Sequence, residues 1–306
     1  MTHNLLLTGA FKYSEEQKQS LSNLGFTIWH LQQEQDELPI NASLIDAVVC
    51  NGLFLYHNID EFTRLKYIQL TSAGLDRVPL DKIQERNIVL CNARGVYSIP
   101  MAEWTIFRVL EYYKDANFFH NAQLDKQWIK NRRLKEINGC RVGIIGAGSV
   151  GQEVAKRFTA FGAYVDGFDV YEKKQENFEN IFLIQSLESR IKDYDILIIT
   201  APLTPQTYHL ISKSSLETMK SGAVLVNIAR GALIDESAMC EVLARRPDLH
   251  AILDVFEQEP LPTDSQLWNL PNALISPHNS FVSNGNAARM FNVIYSNLKS
   301  YITKQA

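Results

Sequence analysis

The chain has 306 residues, a length that suggests two domains at roughly 100–200 residues each. Apolar residues make up 46% and charged residues 21%, which excludes disorder as the main state. Thirty basic against 34 acidic residues give a net charge of −4, and no cluster of Lys and Arg stands out, so we expect no nucleic-acid partner.

The cysteines and the apolar runs bear on the cellular compartment, on metal binding and on membrane association. The four cysteines are far apart and form no C-x-x-C pair, so we expect neither a metal site nor a redox dithiol. Sparse, reduced cysteines fit a cytoplasmic protein. The N-terminal run Leu5-Leu6-Leu7 is too short for a signal peptide and indicates a first strand. Because no stretch approaches the ~18–20 apolar residues of a membrane helix, we expect no membrane association.

Short apolar runs alternate with helical patterns along the whole chain, which predicts a parallel α/β architecture. The predicted strands are residues 5–8, 26–30, 46–50, 67–70 and 88–91 in the first part, and 141–145, 164–168, 196–200, 223–228 and 251–255 in the second. Runs such as 196–199 are apolar without alternation, as in strands that helices cover on both faces. Helices are predicted between the strands, for example over 149–161 and 236–244.

Two further helical patterns indicate how the two halves are connected. Residues 101–119, after Pro100, predict one long helix that crosses into a second domain. A last helical pattern, over 287–301, follows a loop at 277–286. It could return to the first domain and make that domain discontinuous.

A glycine-rich turn is the strongest local signal. Gly146, Gly148 and Gly151 form a G-x-G-x-x-G pattern between an apolar strand and a helical run that opens with Ser149 and Val150. Such glycines permit a tight turn, close approach of a pyrophosphate and close packing of helix on strand, and the free N–H groups of the helix start face the phosphates. The alternative is a plain strand–turn–helix.

The strand after the glycine turn ends at Asp169, 18 residues after Gly151. An acid in this position accepts hydrogen bonds from the ribose hydroxyls of a dinucleotide, and it repels the 2′-phosphate of NADP. We therefore predict NAD as the cofactor. Lys173 and Lys174 would weaken the preference if their loop folds back, and the alternative for Asp169 is a surface acid.

Three polar residues follow predicted strands of the second domain: Arg230, Glu259 and His278. Carboxyl ends of parallel strands define the ligand crevice in an open sheet, so the three could converge beside a cofactor. A histidine can pass a proton to a substrate oxygen, a neighbouring carboxylate orients its ring and favours the imidazolium, and an arginine binds a carboxylate and polarises a carbonyl. Hydride transfer to a 2-keto acid needs this set.

Each of the three also has an ordinary structural explanation. A histidine in a Pro-His loop is often structural, an arginine before glycine can serve as a helix-cap partner, and a glutamate before proline can be a solvated loop acid. Spacing alone does not join the three residues.

Four motifs carry a resemblance to a known family: Thr204-Pro205, Asn227-Ile228-Ala229-Arg230-Gly231, Leu253-Asp254-Val255-Phe256-x-x-Glu259-Pro260-Leu261-Pro262 and Ser276-Pro277-His278. In order and spacing the chain resembles the short-form D-isomer-specific 2-hydroxyacid dehydrogenases from about residue 65 to 285. The first ~60 residues resemble the family only in layout.

The resemblance implies two doubly wound parallel-sheet domains and a homodimer. A Rossmann-type NAD-binding domain, residues 99–280, would be inserted into a flavodoxin-like substrate-binding domain built from 1–98 and 281–306. Substrate and cofactor would meet in the cleft. The implied activity is NAD-dependent reduction of a 2-keto acid to a D-2-hydroxy acid.

The resemblance also implies roles for individual residues. Arg230 would bind the substrate carboxylate and carbonyl, His278 would be the acid/base, and Glu259 its partner. Further cofactor contacts would come from Thr204, Ala229 and Asp254, the last on the nicotinamide carboxamide. A substrate-binding loop would be formed by Ser72, Ala73, Gly74 and Leu75, through backbone N–H groups. Glu103 would either have a role near the interdomain helix or be a first-turn acid of that helix.

The sequence departs from the family pattern in places that bear on the substrate. Asn279-Ser280 follow His278 where many members carry small or apolar residues, which leaves the local pocket shape open. Leu70 lies where members acting on phosphoglycerate usually carry an arginine, which favours an unphosphorylated acid. Aromatic Phe54 and Tyr97 favour an apolar substrate side chain, or belong to the ordinary core.

Alternative functions stay open at this point. No regulatory domain is expected after residue 306, and therefore no allosteric control by amino acids. One alternative is an NAD(H)-sensing protein like the corepressors that resemble this family, and another is a phosphoglycerate dehydrogenase. A third is an enzyme that oxidises formate, but no feature of the sequence favours it.

Overall fold

A computed structural model describes residues 3–305 of the chain. The chain divides into two compact units. The first consists of the residues up to Val96 together with those from Ser283 onward, and the second of Tyr97–Val282. None of the helices in the described part of the chain has the length and apolarity that a bilayer-spanning helix needs.

The first unit is built around a five-stranded parallel sheet. Its strands are β1 (His3–Thr8), β2 (Phe26–Leu31), β3 (Ala47–Cys50), β4 (Tyr67–Leu70) and β5 (Val89–Cys91). The strand order 2-1-3-4-5 is that of flavodoxin-like sheets. Its helices are α1 (Glu15–Ser22), α2 (Leu80–Glu85) and α9 (Asn286–Gln305), the last from the end of the chain. Asn297 on α9 donates to Gln69 Oε1 on β4 at 2.9 Å, which ties the last helix to this sheet.

The second unit is built around a seven-stranded parallel sheet. Its strands are β6 (Arg141–Ile145), β7 (Tyr164–Asp169), β8 (Asn180–Leu183), β9 (Ile196–Ile199), β10 (Val224–Asn227), β11 (His250–Leu253) and β12 (Ala273–Ile275). Its helices are α3 (Ser98–Tyr113), α4 (Ala116–Leu124), α5 (Ser149–Ala160), α6 (Leu187–Arg190), α7 (Lys213–Thr218) and α8 (Glu236–Arg245). The order 12-11-10-9-6-7-8 is a Rossmann order that reverses between β6 and β9, where such sheets bind ligands. The predicted fold class is confirmed.

The unbroken apolar run in β9 follows from burial on both faces. Ile196 and Ile198 pack into one hydrophobic core of the second unit, and Leu197 and Ile199 into another. All four side chains have no exposed surface. A strand between two cores needs apolar residues at every position, because alternate side chains point to opposite faces.

The prediction of one long helix over 101–119 was wrong. Helix α3 begins at Ser98 and already contains Pro100, which the first helical turn tolerates because its N–H groups have no intrahelical partner. The helix ends at Tyr113, and α4 starts after Asp115, whose φ of +49° lies in the left-handed region and interrupts the helical hydrogen bonds. The short strand β8 was not predicted.

Candidate active site

The glycine turn connects β6 to α5 at the point where the strand order reverses. Gly146 has φ +96°, and a Cβ there would lie 2.7 Å from the backbone N of Ala201 on the neighbouring loop. A Cβ on Gly151 would lie 2.1 Å from Gly146 O. Both positions therefore exclude side chains, one by conformation and crowding and the other because helix and turn are in contact.

The space in front of the helix start is open. A Cβ on Gly148 would meet no atom of the described residues within 4 Å, and the first intrahelical bond of the turn runs from Gln152 N to Gly148 O. The N–H groups of Ser149 and Val150 precede that bond, so they have no intrahelical acceptor and are available to an anion. This arrangement has the open space and the N–H groups that a pyrophosphate site needs.

The other predicted cofactor residues lie at ends of strands in the same sheet. Asp169 is the last residue of β7, and its Oδ1 accepts from the backbone N of Val170 at 2.7 Å. Thr204 lies in the loop after β9, where its backbone N donates to Thr207 Oγ1 at 2.8 Å. Ala229 is buried just after β10. Parallel pairing places all these ends at one edge of the sheet.

His278 and Glu259 form the central pair of the site. The His278 Nδ1 atom lies 2.7 Å from Glu259 Oε2, and both side chains are partly exposed, at 38% and 36%. The other carboxylate oxygen of Glu259 accepts from the backbone N of Phe256 at 3.0 Å. Because Glu259 occupies Nδ1, the imidazole presents Nε2 as the atom that can exchange a proton with a ligand.

Asp254 holds the turn that carries His278. Its side chain is fully buried, and Oδ1 accepts from the Ser276 hydroxyl at 2.5 Å and from the backbone N of Asn279 at 2.9 Å. Oδ2 accepts from the backbone N of Ser280 at 2.8 Å. The predicted contact of Asp254 was with the nicotinamide, and sequence reasoning missed these bonds. They also show that residues 279 and 280 anchor the turn through their backbone N–H groups.

Arg230 follows β10, in the loop next to the one that carries Glu259. Its backbone O accepts from Asn227 Nδ2 at 2.8 Å, and its Nη1 donates to Ala229 O at 2.7 Å. A Cβ on the next residue, Gly231, would lie 1.9 Å from the carbonyl carbon of Phe256. The two loops are therefore in backbone contact, and only glycine permits it.

An aromatic cluster lies against His278. The ring of Phe281 meets the His278 ring edge to face, with centroids 5.7 Å apart, and the ring of Tyr97 packs on Phe281 at 5.6 Å. Sequence reasoning pointed to Tyr97 but did not single out Phe281.

The predicted substrate loop belongs to the first unit, and Glu103 belongs to the second. Ser72, Ala73, Gly74 and Leu75 follow β4 in the first unit, whereas all the residues above belong to the second. Within the loop, Ser72 Oγ donates to Gly74 O at 2.9 Å. Glu103 lies beyond the first turn of α3, contrary to the first-turn alternative, and its Oε1 lies 3.2 Å from Arg157 Nη2 on α5.

Known proteins resemble both the sequence and the fold. Residues 106–280 match the family described as D-isomer specific 2-hydroxyacid dehydrogenase, NAD binding domain. A hydroxypyruvate reductase from Thermotoga maritima is 33% identical over 251 residues, which are 80% of this chain and 81% of that one. A glyoxylate reductase from Thermofilum pendens is 30% identical over 254 residues, 80% of this chain and 74% of that one.

Two further comparisons extend this result. A D-3-phosphoglycerate dehydrogenase from Methanocaldococcus jannaschii is 34% identical over 222 residues, but these cover 72% of this chain and only 42% of that protein. A solved structure of a D-isomer specific 2-hydroxyacid dehydrogenase family protein from Aeromonas salmonicida superposes with a TM-score of 0.85 at 27% identity, covering 100% of this chain and 97% of that one.

Fold, glycine turn and comparisons define a nicotinamide-dependent oxidoreductase with a Rossmann-type cofactor unit. The chain belongs to the D-isomer specific 2-hydroxyacid dehydrogenase family.

Proposed function

We propose that this protein reduces an unphosphorylated 2-keto acid to the D-2-hydroxy acid with NADH. The observation that carries the proposal is the His278–Glu259 pair, 2.7 Å apart, at the same sheet edge as Arg230 and the glycine turn. The family supports the reaction type, and the D configuration rests on the family alone.

The bound cofactor would supply the hydride that reduces C2 of the keto acid. The residues from Gly146 to Gly151 would bind its pyrophosphate, and Asp169 its adenosine ribose. His278 would donate the proton at Nε2 to the carbonyl oxygen, with Glu259 orienting the ring through its contact with Nδ1. Arg230 would bind the substrate carboxylate with a planar fork and polarise the carbonyl as negative charge develops. One hydride and one proton complete the alcohol.

The choice of an unphosphorylated acid rests on the side chains near the predicted pocket. Leu70 is fully buried at the end of β4, so the place where relatives acting on phosphoglycerate offer an arginine supplies no charge here. Phe281 adds an apolar ring beside His278. Burial of a doubly charged phosphate without a cation would cost several kcal/mol. The loop 72–75 would contribute backbone N–H groups to the substrate carboxylate.

The test is a comparison of kcat/KM with NADH for pyruvate, glyoxylate, hydroxypyruvate, phenylpyruvate, a branched-chain keto acid and 3-phosphohydroxypyruvate. We expect turnover of at least one unphosphorylated acid and a clear preference over the phosphorylated one. A tenfold preference for 3-phosphohydroxypyruvate would make the protein a phosphoglycerate dehydrogenase. NADH binding with no turnover of any acid would instead support a nucleotide-sensing protein.

Arg230 is tested with a conservative variant. Arg230→Lys keeps the charge but loses the bidentate fork, so KM should rise and kcat should fall together. The expected loss in kcat/KM is roughly 3 kcal/mol, the scale of a charge-assisted clamp that acts in ground state and transition state. A variant that keeps wild-type kcat/KM would remove Arg230 from substrate binding.

We also propose a preference for NADH over NADPH. Asp169 at the end of β7 would accept from a ribose 2′-hydroxyl and repel a 2′-phosphate. Asp169→Ala should narrow the ratio of kcat/KM between the two cofactors. Equal efficiencies of the wild-type enzyme with both cofactors would contradict the preference.

The protein is further proposed to be a cytoplasmic homodimer. The segment from α4 to β6 exposes apolar side chains, above all Trp128 at 96%, together with Leu124 and Ile129. A second copy of the chain would cover this surface. Light scattering after size exclusion should give twice the chain mass, and Trp128→Glu with Leu124→Glu should give a monomer.

The four cysteines are unpaired, as in a reducing compartment, which supports the proposed cytoplasmic location. Cell fractionation tests that location.

A further inference from the structure

The loop after β7 folds back onto the predicted ribose site. Lys173 Nζ lies 3.3 Å from Asp169 Oδ2, while the other oxygen of that carboxylate accepts from the backbone N of Val170. The side chains of Lys173 and Asp169 are 41% and 19% exposed, so the pair is accessible from solvent.

Lys173 is held in this place by Gln175, which also contacts the glycine turn. With the Gln175 amide oriented to satisfy both of its neighbours, its oxygen accepts from Lys173 Nζ at 2.8 Å and its nitrogen donates to Ala147 O at 3.1 Å. Ala147 stands between Gly146 and Gly148 in the turn. Gln175 therefore connects the loop to the backbone that would bind the pyrophosphate, and this limits the lysine to the neighbourhood of Asp169.

We propose that Lys173 is a cofactor-specificity residue, which makes NADPH a usable second cofactor. The inference rests on the proposed function, because it assumes that Asp169 binds the adenosine ribose. An unpaired carboxylate would repel a 2′-phosphate, but the ammonium group compensates its charge. A 2′-phosphate oxygen placed beside Asp169 Oδ2 would also lie within reach of Lys173 Nζ. The lysine would then pair with the phosphate and offset the repulsion between the phosphate and the Asp169 carboxylate. NADH stays preferred, by a smaller ratio than Asp169 alone would impose.

The experiment compares Lys173→Met with Lys174→Met. Both variants lose one positive charge from the same loop, but only Lys173 contacts Asp169 and Gln175. Dissociation constants for NADH and NADPH are measured by calorimetry, together with those for AMP and 2′,5′-ADP, which isolate the 2′-phosphate. In wild type, NADPH should bind measurably. In Lys173→Met the ratio of Kd(NADPH) to Kd(NADH) should rise about tenfold, the scale of one partly exposed charge-assisted bond, and the increase should shrink in high salt. Lys174→Met should keep the wild-type ratio within about twofold, as expected for a surface substitution away from the site.

Several outcomes would overturn the proposal: no NADPH binding by the wild type, an unchanged ratio in Lys173→Met, or the same change in Lys174→Met. Gln175→Ala should raise the ratio of Kd(NADPH) to Kd(NADH), as Lys173→Met does. A decrease in this ratio would contradict the role of Gln175 in holding Lys173. These measurements need no turnover. If the ratio responds as expected but no keto acid is reduced, the proposed reaction fails and the inference on cofactor binding stands.

Discussion

At the scale of single residues, the site depends on one strained turn. His278 has φ +50°, a conformation that side chains other than glycine rarely adopt. The turn is fixed on both sides, because the backbone N of His278 donates to Asp254 O at 2.8 Å while the next two N–H groups donate to the Asp254 carboxylate. Such conformations persist where the surroundings hold them, and they concentrate at functional sites. Asp254 is therefore a positioning residue for His278.

The acid–base pair gives the first prediction. His278→Ala should lower kcat by about 10²–10⁴, the usual range for a general acid, and leave NADH binding intact because His278 is not on the glycine turn. The same substitution should slow reduction and the reverse oxidation together, since one group would donate the proton in the first direction and accept it in the second. Steady-state kinetics in both directions measure this. Wild-type kcat in the variant would exclude His278 from proton transfer.

The hydrogen bonds between the Asp254 carboxylate and the His278 turn give the second prediction. Asp254→Asn replaces an acceptor of three bonds by an amide whose NH₂ faces donors, so it should cost about 1–3 kcal/mol of unfolding free energy and lower kcat by at least tenfold. Ser276→Ala is the matched control, because it removes only the hydroxyl donor and keeps both backbone bonds to the carboxylate. Urea unfolding and kcat are measured for both. Equal effects in the two variants would contradict a role for the backbone bonds.

At the scale of elements, parallel strands bring distant polar residues to one edge, and glycines set how closely their loops approach. Strand β10 leads to Arg230, β11 to Asp254 and β12 to His278, and these three strands are neighbours in the sheet. The loops after β10 and β11 meet at Gly231 and Phe256. The backbone contact between these two loops therefore fixes where Arg230 lies relative to Glu259.

Two glycine substitutions separate folding from cofactor binding. Gly231→Ala places a methyl group against the backbone of Phe256. It should therefore lower the free energy of unfolding by about 1–3 kcal/mol, the scale of overpacking, and reduce kcat/KM because Arg230 and Glu259 are displaced.

Gly148→Ala places a methyl group in open space, so its Tm should stay near that of the wild type. NADH binding should weaken, because the methyl group occupies the predicted pyrophosphate position. Thermal unfolding and calorimetry give both values. A destabilised Gly148→Ala, or a Gly231→Ala of wild-type stability, would contradict the assignment.

At the scale of the whole molecule, the chain builds two sheets of different strand order, and stability can be followed in the second through a partly buried histidine. His250 opens β11, where its Nδ1 lies 2.9 Å from Tyr112 Oη. Its ring packs against that tyrosine with centroids 4.1 Å apart and the planes tilted by 32°. Burial lowers the pKa of His250 below its ordinary value of 6.5. The unfolded chain therefore binds this proton more readily than the folded one.

The sign of the linkage follows from that direction. The contribution of neutral His250 is fully present above pH 6.5 and is lost as the pH falls below it, because the unfolded state then gains a proton that the folded state resists. His250→Gln cannot take up that proton. The difference in unfolding free energy, wild type minus variant, should decrease between pH 7.5 and 5.5. A difference that stays constant or increases on acidification would contradict burial of the neutral ring.

Local patterns in the sequence determined the elements and the candidate chemistry. Periodicity predicted most strands and the alternation of strand and helix, and the glycine turn and the Pro-His and Glu-Pro motifs pointed to loops that follow neighbouring strands of one sheet. These signals work because side-chain period and turn chemistry act over a few residues. The break at Asp115 and the short strand β8 lay outside such patterns, since one left-handed residue and one edge strand leave little periodicity.

Only the tertiary structure decided which polar groups meet. The carboxylate of Asp254 could have faced a ligand, but it binds the His278 turn 22 to 26 residues further along the chain. Gly231 is required by Phe256, and Gln175 holds Lys173 beside Asp169 only because its loop returns to the glycine turn. Hydrogen bonds of this kind depend on which loops become neighbours when the strands pack. The sequence does not show the distance between two loops that are remote along the chain, because burial of the apolar strands fixes that distance.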